Sequence, residues 1–228
     1  VNLKEVRIKK GDVCGMPGGY DIMGDDDELP TNCFANKSIL TNFVFPDTLK
    51  VIKDNAMGSS GISGSVNIPE GVEIIEGGAF GNCRNLNGTL SLPSTLKKIT
   101  GVNTFLYDNF VCELKLPEGL EEIGEQCFLD CPGFYGELKL PSHLKKLGAG
   151  AFKGCKNLTG NLEIPQTLAA IPEGAFNGCW FGGNLQLHDG ISAIGDNAFA
   201  NCGFKGELIL PKEIFLMNVS IIPTSLAS

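Results

Sequence analysis

The feature that most constrains this chain is a unit of 23 to 24 residues that recurs through most of its length. A fixed period of this size is typical of a solenoid, because one unit cannot bury its apolar side chains alone and neighbouring units must stack. We therefore predict seven consecutive turns over residues 46–210. Each unit is marked by a proline or, once, a histidine, at Pro46, Pro69, Pro93, Pro117, Pro141, Pro165, His188 and Pro211.

Stacking the units aligns the apolar residues into columns. Aliphatic residues fall three and six positions after the proline, and an L-x-L pair closes each unit with the period of two that is typical of a short strand with one buried face. The unit that contains Phe105 carries one extra residue before that phenylalanine, which we expect to be absorbed locally. The aromatic column contains Met57, Phe80, Phe105, Phe128, Phe152, Phe176 and Phe199, and the strand pairs begin at Val66, Leu90, Leu114, Leu138, Leu162, Leu185 and Leu208.

The cysteines follow the same period. Of nine in the chain, five share one column, at Cys83, Cys131, Cys155, Cys179 and Cys202. In the unit with the extra residue, either Tyr107 or Asp108 takes that place. Thiols pack as small apolar groups, so we predict buried, free cysteines. No C-x-x-C pair is present, so the sequence predicts no zinc site.

The repeat pattern resembles a known family. A unit such as PEGLEEIGEQCFLDCPGFYGELKL, from Pro117, is similar to the consensus L-x-x-I-G-x-x-A-F-x-x-C of BspA-like (Treponema pallidum type) leucine-rich repeats. The resemblance implies a right-handed leucine-rich-repeat solenoid, with a parallel sheet on its concave face and short 3-10 or helical turns opposite. It also implies an exported protein, on the cell surface or secreted, whose leader or lipid anchor is not part of this sequence.

The repeat also predicts the organisation of the rest of the chain. Residues 29–45 align on the later units as a degenerate repeat, with Phe34 in the aromatic column. Residues 1–28 depart from the pattern and are predicted to form an irregular N-terminal cap with a leading strand in VNLKEVRI. Residues 211–228 are predicted to be a C-terminal cap or a truncated repeat, so that the whole chain is a single solenoid domain.

Charge and motifs exclude several functions. Eighteen Lys and Arg against 26 Asp and Glu give a net charge of −8, which argues against nucleic acid as a partner. No apolar run is long enough to span a membrane. His143 and His188 fall on predicted surface turns with no expected serine, cysteine or carboxylate partner, so we predict a non-enzymatic protein without cofactor or metal. The acidic stretch from Asp25 to Glu28 lacks the spacing of a calcium-binding loop.

Charged pairs alternate in sign along the predicted stack. Lys97 and Lys98 are followed one unit later by Glu121 and Glu122, and then by Lys145 and Lys146. The sequence predicts ion pairs between successive turns, which stabilise the stack and fix its order.

Six residues are candidates for ligand binding. Trp180 and Tyr135 are aromatic in columns that are otherwise polar or small, and concave-face positions carry mixed charge at Glu113, Lys115, Glu137 and Lys139. The family resemblance implies adhesion to host or cell-surface proteins, such as host matrix proteins. Two alternatives stay open: a glycan-binding module of a gut anaerobe, supported by the two aromatic residues, and a structural spacer within a larger surface protein.

Overall fold

The computed structural model describes residues 6–7 and 27–211, which form a solenoid of parallel β-strands without any helix in that part of the chain. The predicted stack of short repeating turns is confirmed. Most turns contribute two short strands where the sequence indicated one, so the strands form two columns. We call them the isoleucine face, at the column six residues after the proline, and the leucine face, at or just before the L-x-L pairs.

The isoleucine face is the more continuous of the two. Six of its strands pair in one parallel sheet and the last two pair separately. In the register, each buried aliphatic residue lies opposite its equivalent one turn away, as Ile123 does with Leu147. The strands are β2 (Glu28–Leu29), β4 (Val51–Ile52), β6 (Ile74–Ile75), β8 (Lys98–Val102), β10 (Glu122–Glu125), β12 (Lys146–Leu147), β15 (Ala170–Ile171) and β17 (Ala193–Ile194).

The leucine face is broken into short sheets. Its strands are β1 (Val6–Arg7), β3 (Phe43–Val44), β5 (Val66–Asn67), β7 (Leu90–Ser91), β9 (Cys112–Glu113), β11 (Phe134–Glu137), β13 (Asn157–Thr159), β14 (Leu162–Glu163), β16 (Leu185–Gln186) and β18 (Leu208–Ile209). The sheets are β1-β3, β5-β7, β9-β11-β13 and β14-β16-β18. The predicted pairs at 114–116 and 138–140 form no strand, because the chain pairs a few residues earlier there, in β9 and β11.

The aromatic column is the centre of the core. Phe80, Phe105, Phe128, Phe152, Phe176 and Phe199 are buried and stack face to face at centroid distances of 5.3 to 5.7 Å. The continuity of this stack through Phe105 shows that the extra residue is absorbed before it. A register shift between β8 and β10, next to Gly101 with its φ of 70°, accommodates that residue as a bulge.

The segment between the isoleucine face and the cysteine column consists of hydrogen-bonded turns, not of the short helical pieces that the resemblance implied. The Cys155 N–H donates to the Phe152 carbonyl within the turn, at 3.1 Å, whereas the Phe152 N–H donates to Ala175 in the next turn, at 2.8 Å. Because local and inter-turn bonds alternate, consecutive helical hydrogen bonds cannot form.

Most of the two predicted caps lies outside the described residues. Val6–Arg7 forms a strand that pairs with β3, in the segment expected to hold a leading strand. Residues 1–5, 8–26 and 212–228, including Asp25 and Asp26, are not described. The boundaries at 28, 45 and 211 stay predictions.

Candidate functional site

The leucine face carries the four charged residues that the sequence singled out. Glu113 and Lys115 stand on either side of a buried leucine, and Glu137 and Lys139 repeat the arrangement one turn later. Each lysine lies beside the glutamate of its own turn, with Nζ–Oε2 distances of 3.9 Å for Lys115 and 4.0 Å for Lys139. Such exposed pairs are weak, so these charges remain able to bind a partner.

Tyr135 lies in the same region. Its backbone is in register with Glu113 in β9 and Asn157 in β13, and 47% of its surface is exposed. Five of the six predicted ligand-binding residues therefore lie on neighbouring turns of one face.

An exposed aliphatic residue that sequence reasoning missed also lies here. Counted from the proline of its unit, Val111 occupies the sequence column of Tyr135, although the strand pairing places Glu113, two residues later, opposite Tyr135. Val111 is 57% exposed. Asn87 and Thr159 are polar in that column, and this contrast was the available signal. We call the resulting surface the Tyr135 patch, which consists of Val111, Glu113, Lys115, Tyr135, Glu137 and Lys139.

Trp180 is exposed but separate from the Tyr135 patch. It lies directly after Cys179, in the loop that precedes β16, and is 66% exposed. Its column is one position after the cysteine, whereas Tyr135 is four positions after Cys131 and two turns earlier. No ring contact joins Trp180 and Tyr135 among the described residues. The two aromatic side chains thus do not form one platform.

A groove adjoins the Tyr135 patch. It has a volume of about 640 Å³ and is lined by polar residues, which include Asn161 and Asn184, and by leucines. Of the leucines, Leu140 is partly buried, whereas Leu138 and Leu162 are buried. The groove lies where strand pairing on the leucine face is interrupted, between 138–140 and β14. We call it the leucine-face groove.

Glu118, at the rim of this groove, joins two turns. The hydroxyl of Ser142 donates to its carboxylate, and the Ser142 backbone N–H donates to the same oxygen at 2.9 Å. These two bonds, the hydroxyl first, lower the pKa of Glu118 below its usual value.

The expectation that neither histidine has a serine or carboxylate partner is wrong for His143. Its Nδ1 lies 3.2 Å from Ser142 Oγ and 3.7 Å from Glu118. A catalytic triad needs the serine and the carboxylate at opposite ring nitrogens. Here both approach the same nitrogen, and the serine donates to the carboxylate, so this geometry does not activate the serine.

The predicted charge ladder lies on the isoleucine face. Lys145 and Glu121 are 3.0 Å apart, and Lys146 and Glu122 are 2.6 Å apart. The hydrogen bond from Lys145 and its positive charge lower the pKa of Glu121. These contacts join successive turns, as the sequence predicted for this step. At the preceding step, Lys97 and Lys98 form no ion pair with Glu121 or Glu122 in the described part of the chain.

The cysteine column is buried and chemically quiet. All eight described cysteines are buried and none forms a disulfide bond, as predicted. In the shared column each thiol donates to a carbonyl of an earlier turn; Cys155 Sγ, for example, lies 3.1 Å from the Phe128 oxygen. Burial raises the pKa of the Cys83 and Cys202 thiols to about 12, so they are not nucleophiles at neutral pH.

Asp108, and not Tyr107, takes the place of a cysteine in this column. Its side chain is buried, and its Oδ1 accepts the Cys83 N–H at 2.8 Å while its Oδ2 has no partner. Burial raises the pKa of this carboxyl well above the usual value.

Residues 6–7 and 27–211 contain neither a metal-binding cluster nor a membrane-spanning helix. No group of three or more His, Cys, Asp or Glu side chains is arranged to hold a metal ion in this part of the chain. The same residues contain no helix that is long and apolar enough to cross a membrane.

Comparison with known families supports the resemblance seen in the repeat. The sequence profile described as "BspA type Leucine rich repeat region" matches six copies, over residues 27–159 and 134–222. The comparison with proteins of curated function finds no match.

Three solved structures share the fold. A leucine-rich repeat protein from Bacteroides ovatus is 26% identical with a TM-score of 0.71, over 94% of this chain and 54% of that one. A leucine rich cell surface protein from Faecalibacterium prausnitzii is 18% identical with a TM-score of 0.51, over 92% and 62%. The T. pallidum leucine-rich repeat protein is 19% identical with a TM-score of 0.50, over 89% and 85%. The chain thus spans 54% and 62% of the first two.

Proposed function

Because the chain belongs to the BspA-type leucine-rich repeat family, we propose that it is a non-enzymatic recognition module that binds a protein of a host or of another cell. Proteins of this family are typically non-catalytic. In this reading the stacked turns are a rigid platform, and one face of it holds the partner.

The observation that carries the proposal is the Tyr135 patch. Tyr135 and Val111 are exposed on neighbouring turns of one face, and the same turns carry two ion pairs that are only loosely formed. Protein interfaces commonly use a tyrosine as an anchor within a polar rim. The buried columns beneath fix the backbone of each turn, so the partner meets a preformed surface at a low cost in entropy.

We also propose that the protein acts outside the cell, on the cell surface or secreted. The F. prausnitzii relative, which shares the fold, is described as a cell surface protein. The described cysteines are buried thiols and do not indicate on which side of a membrane the protein acts. The proposal therefore rests on family membership and on that relative.

A glycan-binding module is the second candidate, and Trp180 is the observation that favours it. The chain has one tryptophan, and two thirds of its surface is exposed. An exposed indole can stack on the apolar face of a sugar ring. Since Trp180 and Tyr135 do not share a platform, a long saccharide that contacts both would need to cross two turns.

An array experiment tests these candidates. The chain would be applied to immobilised host matrix proteins and polysaccharides, together with Tyr135→Ala, Trp180→Ala and, as the control, Tyr107→Asn. Tyr107 is also an exposed tyrosine, but it lies outside the patch. We expect selective protein binding that Tyr135→Ala reduces at least about tenfold and that Tyr107→Asn preserves.

Other results on the array would contradict the protein-binding proposal. Selective polysaccharide binding that is lost in Trp180→Ala would support the glycan module. No binding to either set of ligands would favour the structural spacer.

A further inference from the structure

Building on the proposed protein-binding role of the leucine face, we propose that the leucine-face groove binds an extended, basic peptide segment of the partner. Lysine or arginine side chains of that segment would be directed at Glu137 and Glu163. The shape of the groove and its charge support this assignment.

The shape of the groove suits an extended chain. Its volume of about 640 Å³ is within the range of roughly 300 to 1,000 Å³ for ligand sites. Its lining combines the partly buried Leu140 with polar and charged side chains. An extended peptide directs alternate side chains to opposite sides, so an alternating apolar and basic segment would fit both surfaces.

The charge of the groove favours a cation. Three carboxylates line it, on Glu118, Glu137 and Glu163, against the single ammonium of Lys139. Glu118 is held by Ser142, and Glu137 lies 4.0 Å from Lys139. Glu163 has no ion-pair partner among the described residues, so its charge is free for a ligand. The net charge of −8 adds long-range attraction for a basic partner.

The backbone beside the groove has hydrogen-bonding groups to spare. On one side of β14, the Leu162 N–H donates to the carbonyl of Asn184, directly before β16, at 3.0 Å, and the Ile164 N–H donates to Gln186 at 3.3 Å. The backbone groups of Glu163 point the other way, as alternation along a strand requires. They face residues 138–140. Among the described residues, no backbone hydrogen bond joins β14 to residues 138–140. The groove opens at this gap in the strand pairing.

The peptide would lie on the surface and not between the turns. The rings of Phe128 and Phe152, in the two turns concerned, are 5.4 Å apart, which is close to one strand spacing. No additional strand fits within that distance. A saccharide is disfavoured at this groove because none of the residues lining it is aromatic.

Fluorescence anisotropy with a defined probe tests the proposal. The probe is a fluorescein-labelled octapeptide of alternating valine and lysine, and its matched control has glutamate for lysine. We expect saturable binding of the basic peptide to the full chain and at least about tenfold weaker binding of the acidic one. Glu163→Lys should weaken binding of the basic peptide at least about tenfold, since it replaces attraction by repulsion.

The control variant is Glu173→Lys, which makes the same charge change at an exposed glutamate outside the groove. It should change the affinity less than about twofold. Equal weakening by the two variants would overturn the proposal, because binding would then follow net charge alone. Absence of saturable binding, or displacement of the peptide by a neutral oligosaccharide, would also overturn it.

The failure of this inference can be distinguished from the failure of the proposed function. Array binding that requires Tyr135 but survives Glu163→Lys would keep the protein-binding role and overturn the groove assignment. A chain that binds the basic peptide in the groove but no protein on the array would support the groove and contradict the matrix-protein partner.

Discussion

At the scale of single residues, Asp108 is the departure from the repeat with the clearest energetic consequence. In the full repeats, every other member of its column is a thiol or a hydroxyl, and the titratable groups around it are the buried thiols of Cys83, Cys127 and Cys131. Burial raises the pKa of the carboxyl, so the folded protein keeps this proton at pH values where the unfolded chain has lost it. Stability from this group is therefore greatest below the unfolded pKa of about 3.9 and decreases as the pH rises towards the folded value.

Replacing this carboxyl with the column's usual thiol should remove this decrease in stability at higher pH. We predict that Asp108→Cys stabilises the protein at pH 8 by at least about 1 kcal/mol, and that its advantage in melting temperature grows between pH 5 and pH 8. The control is Asp130→Asn, which removes an exposed carboxylate one turn later and leaves the buried column intact. A constant advantage of Asp108→Cys across this range would show that the carboxyl does not titrate as proposed.

The column position of Asp108 also shows where sequence reasoning ends at this scale. The sequence allowed Tyr107 or Asp108 in the cysteine column, because the position depends on where the extra residue of that unit is absorbed. The bulge in β8 places the shift before Phe105, and this returns the chain to register at Asp108. Which bulge forms depends on packing between turns and is not encoded in the repeat pattern.

At the scale of elements, glycines fall into two classes that the sequence does not separate. Gly174 has a φ of 59°, and a Cβ atom added there would contact nothing within 4 Å. Equivalent positions in other turns are asparagines with the same left-handed backbone, such as Asn55 and Asn103. At Gly148, by contrast, an added Cβ would lie 2.3 Å from the backbone nitrogen of Glu125 in the previous turn.

These surroundings predict opposite effects of substitution. Gly174→Asn should leave the free energy of unfolding unchanged or raise it by up to about 0.5 kcal/mol, since asparagine tolerates this conformation and restricts the unfolded chain. Gly148→Ala should lower it by about 1 to 3 kcal/mol, because the two backbones must move apart. Urea denaturation measures both. Equal effects of the two variants would contradict the close approach of the turns at Gly148.

The elements that sequence analysis predicted are those set by a long pattern. The L-x-L alternation correctly placed Leu114 and Leu138 in the core and the charged residues beside them on the surface. It did not reveal that 114–116 and 138–140 form no strand, since the same letters are paired at Leu90 and Leu162. The groove and the exposure of Val111 result from this local choice of register, which depends on the spacing between turns and not on any single unit.

At the scale of the whole molecule, neighbouring turns stabilise each other through the stacked rings of the aromatic column. Each turn contacts only its neighbours, so the array behaves as a chain of coupled units and its cooperativity depends on every interface. Phe128 lies near the middle of the column, and its ring centroid is 5.3 Å from that of Phe105 and 5.4 Å from that of Phe152, both stacked. Phe134 meets it in a T-shaped contact with a centroid distance of 5.8 Å. Removing this ring weakens two interfaces at once.

We predict that Phe128→Ala destabilises the protein by about 3 to 5 kcal/mol and uncouples the two halves of the stack. Trp180, the single tryptophan, reports on the later turns, whereas far-UV circular dichroism reports on the whole. In urea, the two signals should coincide for the wild type and separate for Phe128→Ala. Phe199→Ala, near the end of the same column, serves as the control: it removes one ring without dividing the stack, so its two transitions should remain close. Coincident transitions in Phe128→Ala would mean that coupling between the halves passes through the strand pairs of the two faces and not through the aromatic column.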